Sequence, residues 1–280
     1  MRILRSCLIL VLLWPLGQVH GATVAPEQIT FVFRGQRQGQ RSYVVSNYDL
    51  SLTVDVKQGE KIIQSVDQKH ARSQKKLVTV VASGDDGPTK VKVEYRTAEE
   101  SDGAETKKDL TVGKTYLVVR DGEKLRVTDT AGKSSSDKEA QIVAADHRDL
   151  GRRFPLAEIL DGKRLAVGNR VELDAEKARQ LMNIPATVGK VDRFAITLTG
   201  TRQQDGIRCA VFDTEIQIRS EGINSVIDVK GEYLVAIDSC QLVSLNLTGP
   251  VTISGKRQNV TVAGRGTLRI STSVKYEKRK

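Results

Sequence analysis

The chain of 280 residues carries 44 Lys and Arg against 34 Asp and Glu, a formal charge of +10, with 4% aromatic residues and a single tryptophan. Glycine and proline are ordinary in number and 39% of the residues are hydrophobic, which excludes a collagenous or disordered chain. Beyond residue 22 no apolar stretch approaches the ~20 residues of a membrane-spanning helix, and the length suits one large β domain or two small ones.

Residues 1–22 read as a secretory signal peptide. Arg2 and Arg5 give its positive start, an apolar core runs from Cys7 to Leu16, and Val19-His20-Gly21-Ala22 is a small-residue cleavage neighbourhood. Cys7 lies inside the apolar core rather than after it, so a lipid-modified leader is not expected. Cleavage removes Trp14 and lowers the formal charge to about +8. The expected compartment is the periplasm or the extracellular cell envelope.

From residue 44 to residue 56 alternation is strict. Val44, Tyr48, Leu50, Leu52, Val54 and Val56 are apolar, Ser46 interrupts them, and the odd positions between 47 and 55 are polar. That is period two, a strand with one wet face. Residues 77–82 form a more continuous apolar strand, and 90–96 alternate again. Segments 114–120 and 125–128 flank Asp121-Gly122, a hairpin signal. Residues 137–150 have helical spacing and stop at Gly151, a helical turn lies near 156–160, and Asp174 is placed to cap a helix through Met182.

Alternation then returns. Phe194, Ile196 and Leu198 precede a turn at Gln204-Asp205-Gly206, and Phe212, Ile216 and Ile218 precede one at Glu221-Gly222. Ile227, Val229, Tyr233, Val235 and Ile237 share the next apolar face; Gly249-Pro250 and Gly264-Arg265-Gly266 read as breaks between later strands. Short glycine-containing turns imply an antiparallel meander. The expected fold is mainly β (α+β), a large curved antiparallel sheet with two short helices on one face, half-barrel-like. Residues 23–280 read as one β-rich domain, divisible into a β half (23–135), a helical middle (136–185) and a β meander (186–280).

Cys209 and Cys240 are the only cysteines after the leader. In an oxidising compartment they are candidates for one disulfide closing a loop of about 30 residues, worth ~3 kcal/mol; two separately buried thiols are the alternative. Catalytic equipment is sparse. Only His70 and His147 remain as histidines, both expected as solvated surface residues, and no Gly-x-Ser-x-Gly elbow exists. The acidic run from Glu99 to Glu105 lacks the EF-hand register and reads as a hairpin loop. No catalytic, cofactor or metal site is expected.

The charge excess lies almost wholly in residues 151–280 and ends in Lys275, Lys278, Arg279 and Lys280, a tail that suits an anionic surface. Nucleic acid is disfavoured, because no aromatic stacking stripe accompanies the basic residues.

Three segments carry a family resemblance. They are Gly39-Gln40-Arg41-Ser42-Tyr43; VKVEYRTAEESDGAETKKDLTVGKTYLVVRDGEKLRVTDTAG at 91–132, with its Gly113-Lys114-x-Tyr116 element; and FPLAEILDGKRLAVGNRVEL at 154–173. Together they resemble secreted bacterial β-rich proteins of unknown function, similar in turn to the curved half-barrels of lipoprotein carriers. The third segment departs from the family's Val-Gly-Asp-x-Trp, reading Val167-Gly168-Asn169-Arg170-Val171. The resemblance implies fold and compartment and carries no catalytic residues. The expectation is a non-catalytic envelope protein binding an apolar ligand or a protein partner, with Ile227, Val229, Tyr233, Val235 and Ile237 as candidate cavity wall or simply core. A carboxylate-dependent hydrolase of envelope polymers and a structural component with a pairing sheet edge are the alternatives.

Overall fold

The computed structural model describes residues 27–182, 189–220, 224–257 and 259–277. The expected signal peptide, the turn at Glu221-Gly222 and the last three residues of the basic tail lie outside them.

The first half contains β1 (Gln28–Thr30), β2 (Arg41–Gln58), β3 (Lys61–Gly84), β4 (Gly87–Ser101), β5 (Thr106–Lys108), β6 (Thr115–Asp121) and β7 (Lys124–Asp129). The middle holds α1 (Asp137–Asp146), α2 (Pro155–Leu160), β8 (Arg164–Ala166), β9 (Arg170–Glu172) and α3 (Ala175–Met182). Then come β10 (Lys190–Gln204), β11 (Ile207–Ser220), β12 (Asn224–Ala236), β13 (Leu242–Arg257) and β14 (Val260–Tyr276). Twelve strands form one antiparallel sheet in the order β7-β6-β4-β3-β2-β14-β13-β12-β11-β10-β9, with β5 beside β4; β1 and β8 pair separately. The sheet is not closed into a barrel. Two meanders meet where β14 pairs β2 from Val260↔Gln58 to Tyr276↔Ser42.

The local signals act as their chemistry requires. Asp205 and Gly206 both take positive φ (50° and 79°), the tight hairpin geometry that joins β10 to β11. Ser136 and Glu139 form a reciprocal capping box at the start of α1. The Asp174 carboxylate accepts the Lys177 N–H at 2.8 Å and so caps α3. The helical turn near 156–160 forms α2, with Pro155 at its start.

Two sequence expectations are corrected. Gly249-Pro250 does not end a strand, and Gly264-Arg265-Gly266 does not separate two, because β13 and β14 run straight through them. These glycines serve close approach instead. A Cβ on Gly249 would lie 1.9 Å from the Asp228 carbonyl oxygen, and one on Gly266 would lie 2.1 Å from that of Ser51. The sheet creases over these positions, which only a residue without a side chain permits. Strand β3 is also longer than the expected 77–82, because pairing with β2 over Lys61–Thr79 holds its polar half in place without an apolar face.

The helices cover one face, here called the inner face. Beneath α2 and α3, Phe31, Leu156, Leu160 and Ala178 pack on Phe194, Phe212, Tyr233, Val235, Leu247 and Leu268. The Phe31 and Phe212 rings lie 5.8 Å apart. Each such large side chain contributes about 1.5–3 kcal/mol by leaving water. Beneath α1, a second cluster joins Val143 to Val91, Val93, Tyr95, Tyr116, Val118 and Val127. Both clusters lie on the same face, since Val93 pairs with Val78 and Val78 with Ser42, which shares the even-numbered face of β2 with Leu52 of the first cluster.

Candidate functional site

Between the two covered regions lies a cavity of about 410 Å³. Its floor is the inner face of β14, β2 and β3, where the cross-strand rows Tyr276–Ser42–Val78 and Val274–Val44–Lys76 line it and Thr272 reaches it from the next row, Thr272–Ser46–Gln74. Its sides are Phe33, Phe154, Leu150 and Leu242, with the segment after α1 above. The lining is mostly apolar, and the volume lies in the ~300–1,000 Å³ range of small-molecule sites.

One end of this space is polar. Asp146, the last residue of α1, accepts hydrogen bonds from Gln74 Nε2 at 2.8 Å, Tyr95 Oη at 3.1 Å and Lys76 Nζ at 3.2 Å. The Arg72 guanidinium approaches it at 3.9 Å and Asp109 at 4.0 Å. A carboxylate at a helix C-terminus opposes the helix dipole, so this one is held by tertiary partners supplied by β3 and β4. Burial would push its pKa up, but Lys76, Gln74, His147 and Arg72 outweigh that and hold it below the usual carboxylate value. Tyr95 is pushed the other way, chiefly by burial and then by the Asp146 charge.

His147 is a correction to its expected place on a solvated surface. It turns inward and lines the cavity, with Nε2 shielded from water and without a hydrogen-bond partner among the described residues. Burial, then the Lys76 charge, lowers its pKa to about 3, with Asp146 opposing, so the ring is neutral. His70 matches its expected exposure: its side chain is 43% exposed, 3.6 Å from Glu100. The acidic run forms the β4–β5 hairpin, where Asp102 accepts the Ala104 and Glu105 N–H groups. Among the described residues no cluster of His, Cys, Asp or Glu has metal-binding geometry.

The five candidate wall residues do share a face. Val229, Tyr233, Val235 and Ile237 are buried in the cluster under α2 and α3, and Ile227 packs at its margin. None of them lines the cavity just described. Cys209 and Cys240 are both buried free thiols. Cys209 packs with Leu234, Ala236 and Val243, whereas Cys240 belongs to the inner-face core and lines the cavity. The structure thus leaves them unbonded and in separate clusters, and burial pushes the Cys240 thiol up to about 12.

Sequence reasoning missed Asp146, Lys76 and Gln74 because only the pairing of distant strands assembles them. One signal was available. Ser46, the interruption in the apolar alternation of β2, stands in the row between Thr272 and Gln74.

No protein-family model matches this chain, and no curated protein matches it in sequence. Among solved structures, one described as showing lipid–protein interactions in lipovitellin is similar at a TM-score of 0.38 and 8% identity, over 88% of this chain and 26% of that one. The chain therefore spans about a quarter of that structure's length, and likeness at this level assigns no family.

Proposed function

We propose that this protein is an exported, non-catalytic envelope protein that binds an apolar or amphipathic small molecule in the cavity between β14, β2, β3 and the end of α1. The observation that carries this reading is the cavity itself. A space of about 410 Å³ is walled largely by valine, leucine and phenylalanine side chains, with Asp146 and Lys76 at one polar end and the exposed Asp86, Asp149 and Arg152 elsewhere in its lining. Apolar surface of this kind gains free energy when a ligand removes it from water. A hydrolase reading calls for a carboxyl held protonated as a general acid, and Asp146 is shifted in the opposite direction.

The test is displacement of a fluorescent apolar probe, with native mass spectrometry for stoichiometry. One ligand per chain is expected, and Val274→Trp, which fills the floor, should abolish binding while circular dichroism stays unchanged. Failure of every apolar probe to bind the folded protein would overturn the reading.

A further inference from the structure

The charges around this cavity constrain the head group of what it binds. Among the described residues, every charged side chain that lines it already has a partner of opposite sign: Lys76 on Asp146 at 3.2 Å, Arg152 on Glu123 at 2.7 Å, Asp86 on Arg153 at 3.7 Å and Asp149 on Arg148 at 3.7 Å. Behind the polar end, Arg72 stands between Asp109 and Asp146. The ring of His147 is neutral. The polar end therefore presents two cations, Lys76 and Arg72, balanced by two carboxylates, Asp146 and Asp109.

A charged head group placed there would lack an uncommitted counter-charge. At the polar end, where the Lys76 and Asp146 side chains are only 12% and 16% exposed, it would either stay unbalanced or break that pair and strand its member. What is uncommitted is hydrogen-bonding capacity. Thr272, which lines the cavity, donates its hydroxyl to Ser46 Oγ at 3.3 Å, and Ser46 keeps its own proton to give. The Gln74 amide donates to Asp146 and leaves its carbonyl oxygen to accept. These three residues form one row across β14, β2 and β3, of which Thr272 reaches the cavity, and the next row, Val274, Val44 and the stem of Lys76, lines its floor.

From this arrangement we infer that the ligand is an uncharged single-chain amphiphile, such as a monoacylglycerol or a long-chain alcohol, whose hydroxyl-bearing head sits at Thr272, which Ser46 backs through a hydrogen bond. This rests on the cavity reading above and narrows it. The apolar chain lies along Val44, Val78, Leu150 and Val274. A carboxylate- or ammonium-headed chain of the same length is rejected by the balanced charges, not by its size.

The experiment uses the full chain at neutral pH and three probes with matched chains: monolauroylglycerol, laurate and dodecylammonium, in competition against one fluorescent apolar probe. Monolauroylglycerol should bind about tenfold or more tightly than either ion. Ser46→Ala with Thr272→Val should weaken it by about tenfold and leave the ions little changed. Asp146→Asn, which leaves Lys76 and Arg72 in excess, should move the preference toward laurate; Ser46→Ala alone remains informative if that variant does not fold. Binding of laurate or dodecylammonium as tight as that of the neutral probe would overturn the head-group assignment while leaving the cavity reading intact. Binding of none of the probes would overturn both.

Discussion

Under α2 and α3 the inner face is apolar but for the buried Thr214, with Phe31, Leu156 and Leu160 meeting Phe194, Phe212 and Val235. Under α1 it is divided: Val143 seals an apolar cluster, and one turn later Asp146 places a carboxylate among Gln74, Lys76 and Tyr95. One sheet thus carries two covers of different kind. The first is held by area removed from water, which is insensitive to pH and tolerant of position. The second depends on a buried polar network in which each member satisfies another, and such networks are costly when broken. Conformational stability is therefore expected to concentrate in the region under α2 and α3. Sensitivity to conditions should concentrate beside the cavity.

The largest effect expected is on the crease in β13. Gly249→Val would drive a side chain into the Asp228 carbonyl, 1.9 Å from where its Cβ must lie, and should abolish the cooperative unfolding transition seen by circular dichroism. Retention of a wild-type transition would show that the strands can separate there. Next comes Phe212→Ala, which empties a fully buried ring site under α2 and α3. It should cost about 3–5 kcal/mol in denaturant titration without altering probe binding at the cavity, and a selective loss of binding would contradict the division into two covers.

The smallest effect, and the most specific, is that of pH. His147 is neutral in the fold with a pKa near 3, against about 6.5 when unfolded. Its folded value is depressed, so the unfolded chain binds the proton first as pH falls. The stability it contributes is full above about 6.5 and is lost progressively toward about 3. Asp146, also depressed, adds a further loss below its ordinary value of 3.8. The thermal midpoint should therefore drop between pH 7 and pH 4, and His147→Gln should flatten that limb. Hydrogen exchange at acid pH should open the end of α1 before β11 and β12; simultaneous opening would mean that the two regions are one cooperative unit.

These differences mark how far the sequence could be read. Alternation located β2, β4 and β10 to β12 because their apolar positions are the ones the sheet buries; helical spacing located α1, which ends at Asp146 rather than at the expected Gly151, and the Asp174 cap located α3. The polar half of β3 was illegible because its neighbour β2, not its own pattern, makes it a strand. Gly249 and Gly266 misled because a glycine that ends a strand and one that lets a strand crease are the same letter. The cavity was invisible for a related reason: Lys76, Asp146 and Thr272 come from parts of the chain that meet only in three dimensions. Beside the cavity, Ser46 and its cross-strand partner Thr272 announced that the inner face was not uniformly apolar.

The pairing of β2 with β14 has a consequence for the order in which this molecule assembles. Contacts such as Asn47 with Ser271 span 224 positions of chain, and chain closure over such separations slows folding. While the later strands are still being delivered, β2 presents a long open edge, the kind of surface on which chains aggregate. The seam is therefore expected to form late, and the floor of the cavity with it, so a molecule able to occupy that space would also reward completion of the sheet.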